Sequence, residues 1–335
     1  MTATRFFSDN AATVHPAVMD AMAAANHVDT AYDGDALSQS LDAAFSDLFE
    51  TACEVVWIPT GTAANSIILA HFVRPWQGIL CYEEAHIEVD ECGAPTFYSG
   101  GAKLMPLPGR GAKIDAEALK ARIRGIRNDV HQIQPAAISI TNATEYGLAW
   151  RAEEIAEISE IAKGKGMKLH MDGARFANAV AFLDCAPADV TWRAGIDALS
   201  FGFTKNGAMM AEAIVFFGGS GGAGVRELKK RGGHLLSKGR FVAAQIRAML
   251  TNDLWLANAR AANAGAATLA AACGDRLMHA VEANELFVRL NAAEAEKLRG
   301  AGFDFYDWGA GAARLVVSWD QDAEAVAPLA AAIRA

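Results

Sequence analysis

Long apolar runs are absent from this chain, and their absence excludes a helical membrane protein. No stretch reaches the roughly 18 consecutive apolar residues that a transmembrane helix needs. The first ten residues also lack an apolar core followed by small residues, which a secretory signal would have. We therefore expect a protein that stays in the cytoplasm.

Cysteine and positive charge are both scarce. The five cysteines are scattered, odd in number and without a C-x-x-C pair, so we expect no bound metal and no disulfide, only buried free thiols. The formal net charge is −9, which offers no basic surface to nucleic acid. The partner that remains is a small molecule.

The order of apolar segments predicts an α/β fold. An apolar run at 136–141, an amphipathic helix at 152–164 and a second apolar run at 167–171 make a β-α-β unit, which is typical of a parallel sheet. We expect a helix-rich stretch over 225–273. Further helices are expected at 16–26, 38–50 and 292–299, and further strands at 198–201, 213–217, 286–290, 303–306 and 315–319.

The length of 335 residues exceeds that of an average domain. We expect a large domain over residues 1–250 with a mainly parallel central sheet. A smaller α+β domain is expected over residues 251–335.

The segment H-M-D-G-A-R, residues 170–175, follows one of the predicted parallel strands. Open α/β sheets bind ligands at the carboxyl ends of their strands, so Asp172 is a candidate site residue. The alternative, that Asp172 only caps the next helix, stays open at this point.

The segment S-F-G-F-T-K-N-G follows the next strand and contains Lys205. A lysine amine held neutral can condense with an aldehyde cofactor, although most lysines are solvated surface residues. A pyridoxal ring withdraws electrons only while its nitrogen is protonated, and a carboxylate such as Asp172 stabilises that proton. The pair therefore indicates pyridoxal 5′-phosphate, held as a Schiff base on Lys205.

Two further segments follow predicted strands. The segment P-T-G-T-A-A-N, residues 59–65, opens a helix whose first N–H groups suit a phosphate, although such a sequence is more often an ordinary turn. His86 follows an apolar run at 78–82 and can stack on a pyridine ring or exchange a proton. A lone histidine is more often structural, but its position at a strand end favours a role in the site.

Six motifs together resemble the low-specificity L-threonine aldolases. They are S-D-N at 8–10, G-T-A-A-N at 61–65, A-H-x-E-x-D-E-C-G-A-P at 85–95, H-M-D-G-A-R-F-x-N-A at 170–179, T-K-N-G at 204–207 and R-L-V-V-S-W at 314–319. The resemblance spans nearly the whole chain. It implies the type I fold of pyridoxal-phosphate enzymes and a homo-oligomer, a dimer or tetramer with active sites between subunits.

The resemblance also implies roles for individual residues. Catalysis would involve Lys205, which carries the cofactor, Asp172 at the pyridine nitrogen, His86 stacked on the ring, and His131 near the substrate β-hydroxyl. The cofactor phosphate would be held by Gly61, Thr62 and Thr204. The substrate carboxylate would be bound by Ser8, Arg175 and Arg314, with Arg175 also facing the cofactor.

The implied reaction is retro-aldol cleavage of L-threonine, L-allo-threonine or related β-hydroxy-α-amino acids such as phenylserine to glycine and an aldehyde. The base could be His86, His131 or a water. T-N-A-T-E at 141–145 departs from the common family signature, which leaves the β-carbon stereochemistry open. A β-eliminating lyase or aminotransferase would share the lysine and aspartate, whereas a non-catalytic binding protein would not need Lys205.

Overall fold

A seven-stranded sheet forms the centre of the computed structural model, which describes residues 4–219 and 222–335. The strands of the whole fold are β1 Thr4–Arg5, β2 Cys53–Ile58, β3 Gln77–Tyr82, β4 Lys103–Leu107, β5 Gly109–Arg110, β6 Lys113–Ile114, β7 Gln134–Thr141, β8 Lys168–Gly173, β9 Ala198–Gly202, β10 Glu212–Phe217, β11 Glu285–Arg289, β12 Phe303–Asp304, β13 Tyr306–Asp307 and β14 Ala312–Val316.

Helices cover this sheet and complete the C-terminal part. They are α1 Pro16–Ala24, α2 Ala36–Gln39, α3 Leu41–Phe49, α4 Gly61–Phe72, α5 His86–Val89, α6 Ala94–Tyr98, α7 Ala116–Arg124, α8 Ala152–Lys163, α9 Phe176–Leu183, α10 Val225–Arg231, α11 Arg240–Leu250, α12 Leu254–Cys273, α13 Ala292–Gly300 and α14 Ala327–Arg334. None of them, within the described ranges, is long and apolar enough to cross a bilayer.

The order of strands in the large sheet is β2, β10, β9, β8, β7, β3 and β4. Strands β4, β3, β7, β8 and β9 run parallel, whereas β10 is antiparallel to both of its neighbours, β9 and β2. The mainly parallel sheet expected from the sequence is therefore present. Because β10 runs in the opposite direction, its first residue, Glu212, lies beside the last residue of β9, Gly202.

The carboxyl end of β9 lies unusually close to Ala174, in the segment that follows β8. A Cβ atom on Gly202 would lie 2.6 Å from the carbonyl oxygen of Ala174, a distance that no real side chain tolerates. Glycine at this position therefore lets the segment after β8 pass directly over the end of β9. This close approach brings together the segments that contain Asp172 and Lys205.

Aromatic side chains form the centre of the main core. Phe201 stacks on Phe203 at a centroid distance of 4.3 Å and makes edge contacts with Phe176 at 5.1 Å and Trp255 at 5.3 Å. Phe45 of α3 also packs edge-on against Phe201. All of these rings are fully buried, and they fix α3, α9 and α12 against β9.

A second core lies in the C-terminal part. Leu286, Val288 and Leu315 of the antiparallel β11, β14 and β13 sheet pack with Leu269 of α12 and with Leu329. Helix α12 contributes Trp255 and Ala259 to the main core and its later residues to this second one. The division at residue 250 stays a prediction.

The predicted β-α-β unit is present as β7, α8 and β8, with bounds within two residues of those expected. The helix expected at 38–50 is two shorter helices, α2 and α3. The strand expected at 315–319 is β14, which ends at Val316. Beyond the strand the chain turns, and the N–H and the hydroxyl of Ser318 both donate to Oε1 of Gln321 at 3.0 Å.

The cysteines are all free, but they are not all buried. Cys53, Cys81 and Cys273 are buried, as expected, whereas Cys185 is half-buried and Cys92 is exposed. Cys92 has a positive φ of 52° and lies in the turn between α5 and α6.

Phe201→Ala should destabilise the protein by about 3–5 kcal/mol, because it removes the ring that five other aromatic side chains contact. Unfolding in urea followed by tryptophan fluorescence measures this change. Phe97, which is 80% exposed, provides the control, since its replacement by alanine should alter the free energy of unfolding by about 0.5 kcal/mol or less. Equal effects of the two substitutions would contradict this description of the core.

Candidate active site

A cavity of about 320 Å³ opens at the carboxyl edge of the large sheet. The start of α4 and the residues that follow β3, β7, β8 and β9 line it, and Glu212 reaches it from the start of β10. Parallel strands end at the same edge of a sheet, so their following loops converge there. Seven predicted site residues line this one cavity: Gly61, Thr62, His86, Asp172, Arg175, Thr204 and Lys205.

Asp172 contributes a buried carboxyl group to the cavity wall. It is 4% exposed, and its two oxygens accept hydrogen bonds from the Ala174 N–H at 2.9 Å and from the Asn65 amide at 2.7 Å. The next helix, α9, begins at Phe176 with Arg175 as its N-cap, so Asp172 is not the helix cap. Its carboxylate is held at the cavity wall by polar groups alone.

Lys205 lies in a single 3₁₀ turn, Thr204–Asn206, directly after β9. Helix α12 fixes this turn from behind: Asn206 donates to the Trp255 carbonyl at 2.7 Å, and Asn258 donates to the Asn206 carbonyl at 2.8 Å. Lys205 itself is half-buried and lines the cavity, unlike a solvated surface lysine. The turn therefore presents one amine to the cavity from a rigid support.

The N-terminus of α4 forms the part of the cavity that suits a phosphate. Thr60 accepts the Ala63 N–H at 3.3 Å, while the first N–H groups of a helix, here those of Gly61 and Thr62, have no partner within the helix. A Cβ atom on Gly61 would meet nothing within 4 Å, so the space beside it is open. A twelve-residue helix also directs its positive dipole end at this space.

His86 has an anionic partner. Its Nδ1 lies 2.9 Å from Oε1 of Glu91, a buried carboxylate, whereas the imidazole side chain is 41% exposed. The hydrogen bond to Glu91 raises the pKa of His86, although burial opposes this shift. The imidazole can therefore both stack on a ring and carry a proton in the neutral pH range.

The three predicted carboxylate-binding residues are not all in the cavity. Arg175 lines it, but its guanidinium donates twice to Asp9, at 2.7 and 3.0 Å, and lies 3.1 Å from Glu285. Nε of Arg314 lies 3.6 Å from Oε1 of Glu285, so Glu285 lies between Arg314 and Arg175. Ser8 accepts the Asn10 N–H at 3.2 Å, and it is Asn10 that lines the cavity.

His131 is remote from this cavity. It lies in the turn before β7 and lines a different depression, together with Trp76 and residues 128–134. The eight-residue β7 lies between it and the cavity edge, which at about 3.3 Å per residue is more than 20 Å. Within one subunit the structure does not bring His131 to the site, and its role stays a prediction.

Two acids of the cavity, the buried Glu212 and the half-buried Glu145, were not predicted as site residues. Burial raises the pKa of Glu145 and of Glu212 to about 7 in each case. Glu145 accepts from the Thr141 hydroxyl at 2.7 Å and the His86 N–H at 3.1 Å, and Glu212 accepts from the Phe203 N–H at 3.0 Å. Glu145 lies in the T-N-A-T-E segment noted above, whereas Glu212 had no signal in the sequence because an antiparallel strand brings it.

Asn65 and Glu91 were also missed as site residues. Both are buried and line the cavity, and both fall inside motifs that carry the family resemblance. The signal was present in the motif letters, but only the folded chain shows that these two side chains contact each other and Asp172 or His86.

Comparison with known proteins gives consistent results. The family model described as beta-eliminating lyase matches residues 5–293. A low specificity L-threonine aldolase of Pseudomonas sp. (strain NCIMB 10558) is 42% identical, covering 99% of this chain and 97% of that protein. The corresponding protein of Pseudomonas aeruginosa is 43% identical, covering 98% and 97%.

A solved structure of Leishmania major threonine aldolase has a TM-score of 0.92 with this chain at 27% identity, and it covers 98% of each chain. The fold expected from the sequence, the type I fold of pyridoxal-phosphate enzymes, is confirmed.

Glu91→Gln should lower the pKa of His86, because the amide removes the carboxylate that stabilises the imidazolium. Proton NMR of the histidine ring resonances across the pH range measures it. His279, which contacts Tyr146 and Phe287 instead, serves as the internal control and should titrate unchanged. An unaltered His86 titration would show that Glu91 does not set the charge of this ring.

Proposed function

Because this chain belongs to the beta-eliminating lyase family, and within it to the low-specificity L-threonine aldolases, we propose that it cleaves L-threonine and L-allo-threonine to glycine and acetaldehyde. It is a pyridoxal-phosphate-dependent carbon–carbon lyase. Related β-hydroxy-α-amino acids such as phenylserine are further candidate substrates. The observation that carries the proposal is that Lys205 and the buried Asp172 line one cavity whose floor is the N-terminus of α4.

The residues of the cavity fit pyridoxal 5′-phosphate. An amine, a buried carboxylate and an open helix N-terminus are the three groups that its aldehyde, ring nitrogen and phosphate require, and one cavity contains all three. Lys205 would form the covalent link to the aldehyde carbon. Gly61, Thr62 and Thr204 would hold the phosphate.

The bound cofactor would supply an electron-withdrawing ring that accepts the electrons of the broken Cα–Cβ bond. Asp172 would keep a proton on the ring nitrogen by charge-assisted hydrogen bonding. Its own burial strengthens that interaction, since fewer water molecules screen the charge. His86 would cover the ring face.

The β-hydroxyl must lose its proton as the bond breaks. Of the two candidate histidines, His86 lies in the cavity and is paired with a buried carboxylate, whereas His131 lies at the opposite sheet edge. We therefore expect His86, directly or through a water, to accept this proton.

The substrate carboxylate would be bound on the side of the cavity where Arg175 lies. Arg175 is already paired with Asp9 and Glu285, which balance its positive charge. It would therefore bind the carboxylate mainly through hydrogen bonds from its N–H groups. Arg314 shares Glu285 and adds the second positive charge. Ser8, which contacts the cavity residue Asn10, and Arg314 would complete this part of the site.

We also expect a homo-oligomer, a dimer or tetramer, and a location in the cytoplasm. Both expectations rest on the similarity to the low-specificity L-threonine aldolases.

Purified protein loaded with pyridoxal phosphate should release glycine and acetaldehyde from L-threonine, and Lys205→Ala should abolish the release. Chromatographic detection of glycine and an enzymatic assay of acetaldehyde measure the two products. Lys168→Ala is the matched control, since that lysine is exposed and pairs with Asp197 at the far end of the sheet. Borohydride reduction followed by peptide mapping should place the cofactor on Lys205. A label on another lysine would falsify the assignment.

Arg314→Lys should lower kcat/KM for L-threonine by about 10- to 100-fold, because lysine keeps the charge but loses the planar fork that orients a carboxylate. Steady-state kinetics with a cofactor titration measure it, and cofactor affinity should not change. Arg299→Lys is the control, an arginine of the same C-terminal part that pairs with Asp307 away from the cavity. Unchanged kinetics in Arg314→Lys would assign carboxylate binding to Ser8 and Arg175.

A further inference from the structure

A continuous chain of buried polar side chains runs from inside the sheet to the cavity. Ser139, His170 and Ser200 lie on the neighbouring strands β7, β8 and β9, and Asn65 lies on α4. The links are Ser139 to His170 at 2.9 Å, His170 to Ser200 at 2.9 Å, and Ser200 to Asn65 at 2.6 Å. The chain ends at the Asn65 amide, which contacts two carboxylates at the cavity wall.

Asn65 joins the two anions of the site. Its Nδ2 group lies 2.7 Å from Asp172 and 2.8 Å from Glu91, so each of its two hydrogens has one carboxylate acceptor. Glu91 in turn pairs with His86 at 2.9 Å. One amide therefore connects the predicted partner of the ring nitrogen with the partner of the stacked imidazole.

The direction of every hydrogen bond in this chain follows from the two carboxylates. Ionised carboxylates only accept, so the amide nitrogen of Asn65 must face them and its oxygen must face Ser200. The Ser200 hydroxyl donates its one hydrogen to that oxygen, so it accepts from His170. His170 must then carry a proton on Nε2, and when the ring is neutral its Nδ1 accepts from Ser139. Burial, which lowers the pKa of His170 to about 4, agrees with a neutral ring.

Two ionised carboxylates this close repel each other. Oxygens of Asp172 and Glu91 lie within 4.8 Å of one another, and both residues are buried. A pair of buried anions normally raises the pKa of one member until it takes up a proton. A neutral Asp172 could not stabilise a protonated ring nitrogen, so the site needs a donor that serves both carboxylates at once.

We infer that Asn65 is a positioning residue of the cofactor site: its amide holds Asp172 and Glu91 side by side as carboxylates, and Ser200 and His170 fix the orientation of that amide. The inference rests on the proposed function, because it assumes that a pyridinium nitrogen faces Asp172. Asn65→Asp keeps the shape of the side chain but removes its N–H groups. Asn65→Ala removes both the N–H groups and the carbonyl oxygen. Glutamine is longer by one methylene and would displace one of the two contacts.

The test compares Asn65→Asp and Asn65→Ala with Asn178→Ala. Asn178 is the matched control because it is also a helical asparagine, is 4% exposed, and its side-chain amide donates to Asn263, outside the cavity. Cofactor-free protein is titrated with pyridoxal 5′-phosphate to obtain Kd, and the absorbance of the loaded protein is recorded across the pH range. The turnover of L-threonine is measured last.

Both Asn65 variants should bind the cofactor at least about 10-fold more weakly than the control, since each removes the amide N–H groups that the two buried carboxylates share. The pH at which the cofactor absorbance changes should shift in the Asn65 variants and not in Asn178→Ala, and kcat should fall more than KM rises. Affinity, spectrum and turnover equal to those of Asn178→Ala would overturn the inference.

Ser200→Ala tests the role of the Asn65 amide even if an Asn65 variant does not fold. It leaves Asn65 in place and removes only the hydroxyl that orients the amide, so we expect a smaller loss of cofactor affinity with a spectral shift of the same sign. No loss and no shift would overturn the proposed orienting role.

The histidine tautomer gives a readout that needs neither cofactor nor substrate. In cofactor-free protein labelled with ¹⁵N-histidine, the His170 ring, assigned with His170→Asn, should be neutral and protonated on Nε2. A proton on Nδ1 would reverse the chain and contradict the inference. If the wild-type protein binds pyridoxal phosphate but releases no glycine, the proposed reaction fails while these measurements still decide the role of Asn65.

Discussion

The site depends on one buried negative charge, the carboxylate of Asp172 at the end of β8. A buried charge is costly unless hydrogen bonds replace its hydration. Two such bonds, from the Ala174 N–H and from Asn65, are in place in the protein alone. The remaining exposure of the carboxylate is to the cavity, where a cationic ring nitrogen would complete its surroundings. Rigid sheet geometry, with β8 between β7 and β9, holds this group in one position.

Charge pairing extends from this point to the two ends of the chain. Arg175 follows β8 and pairs with Asp9 near the N-terminus and with Glu285 on the C-terminal sheet. Burial alone would raise the pKa of Asp9, but the Arg175 charge and hydrogen bonds, with Lys205 nearby, hold it below its usual range. The two ion pairs of Arg175 therefore attach the N-terminal segment and the C-terminal sheet to the edge of the large sheet.

The sequence predicted the residues that follow parallel strands correctly as neighbours. Asp172, Lys205 and His86 each come after an apolar run, and the carboxyl ends of such runs share one edge when the strands are parallel. The same reasoning could not place Glu212, which arrives on an antiparallel strand, nor the link between Asn65 and Ser200, which are 135 residues apart. His131 precedes its strand, and the resemblance that suggested it could not show to which edge of the sheet it belongs.

The amino-acid sequence by itself determined the fold class, the family and the cofactor chemistry, because these depend on local patterns: apolar periodicity, turn residues and motif letters in a fixed order. The tertiary structure alone decided which polar groups are hydrogen-bonded to each other and which carboxylates are buried together. It also decided that Arg175 is paired with Asp9 and Glu285. Those properties arise from contacts between residues far apart in the chain and from the removal of water around them. Neither the contacts nor the burial has a period or a spacing that a linear sequence displays.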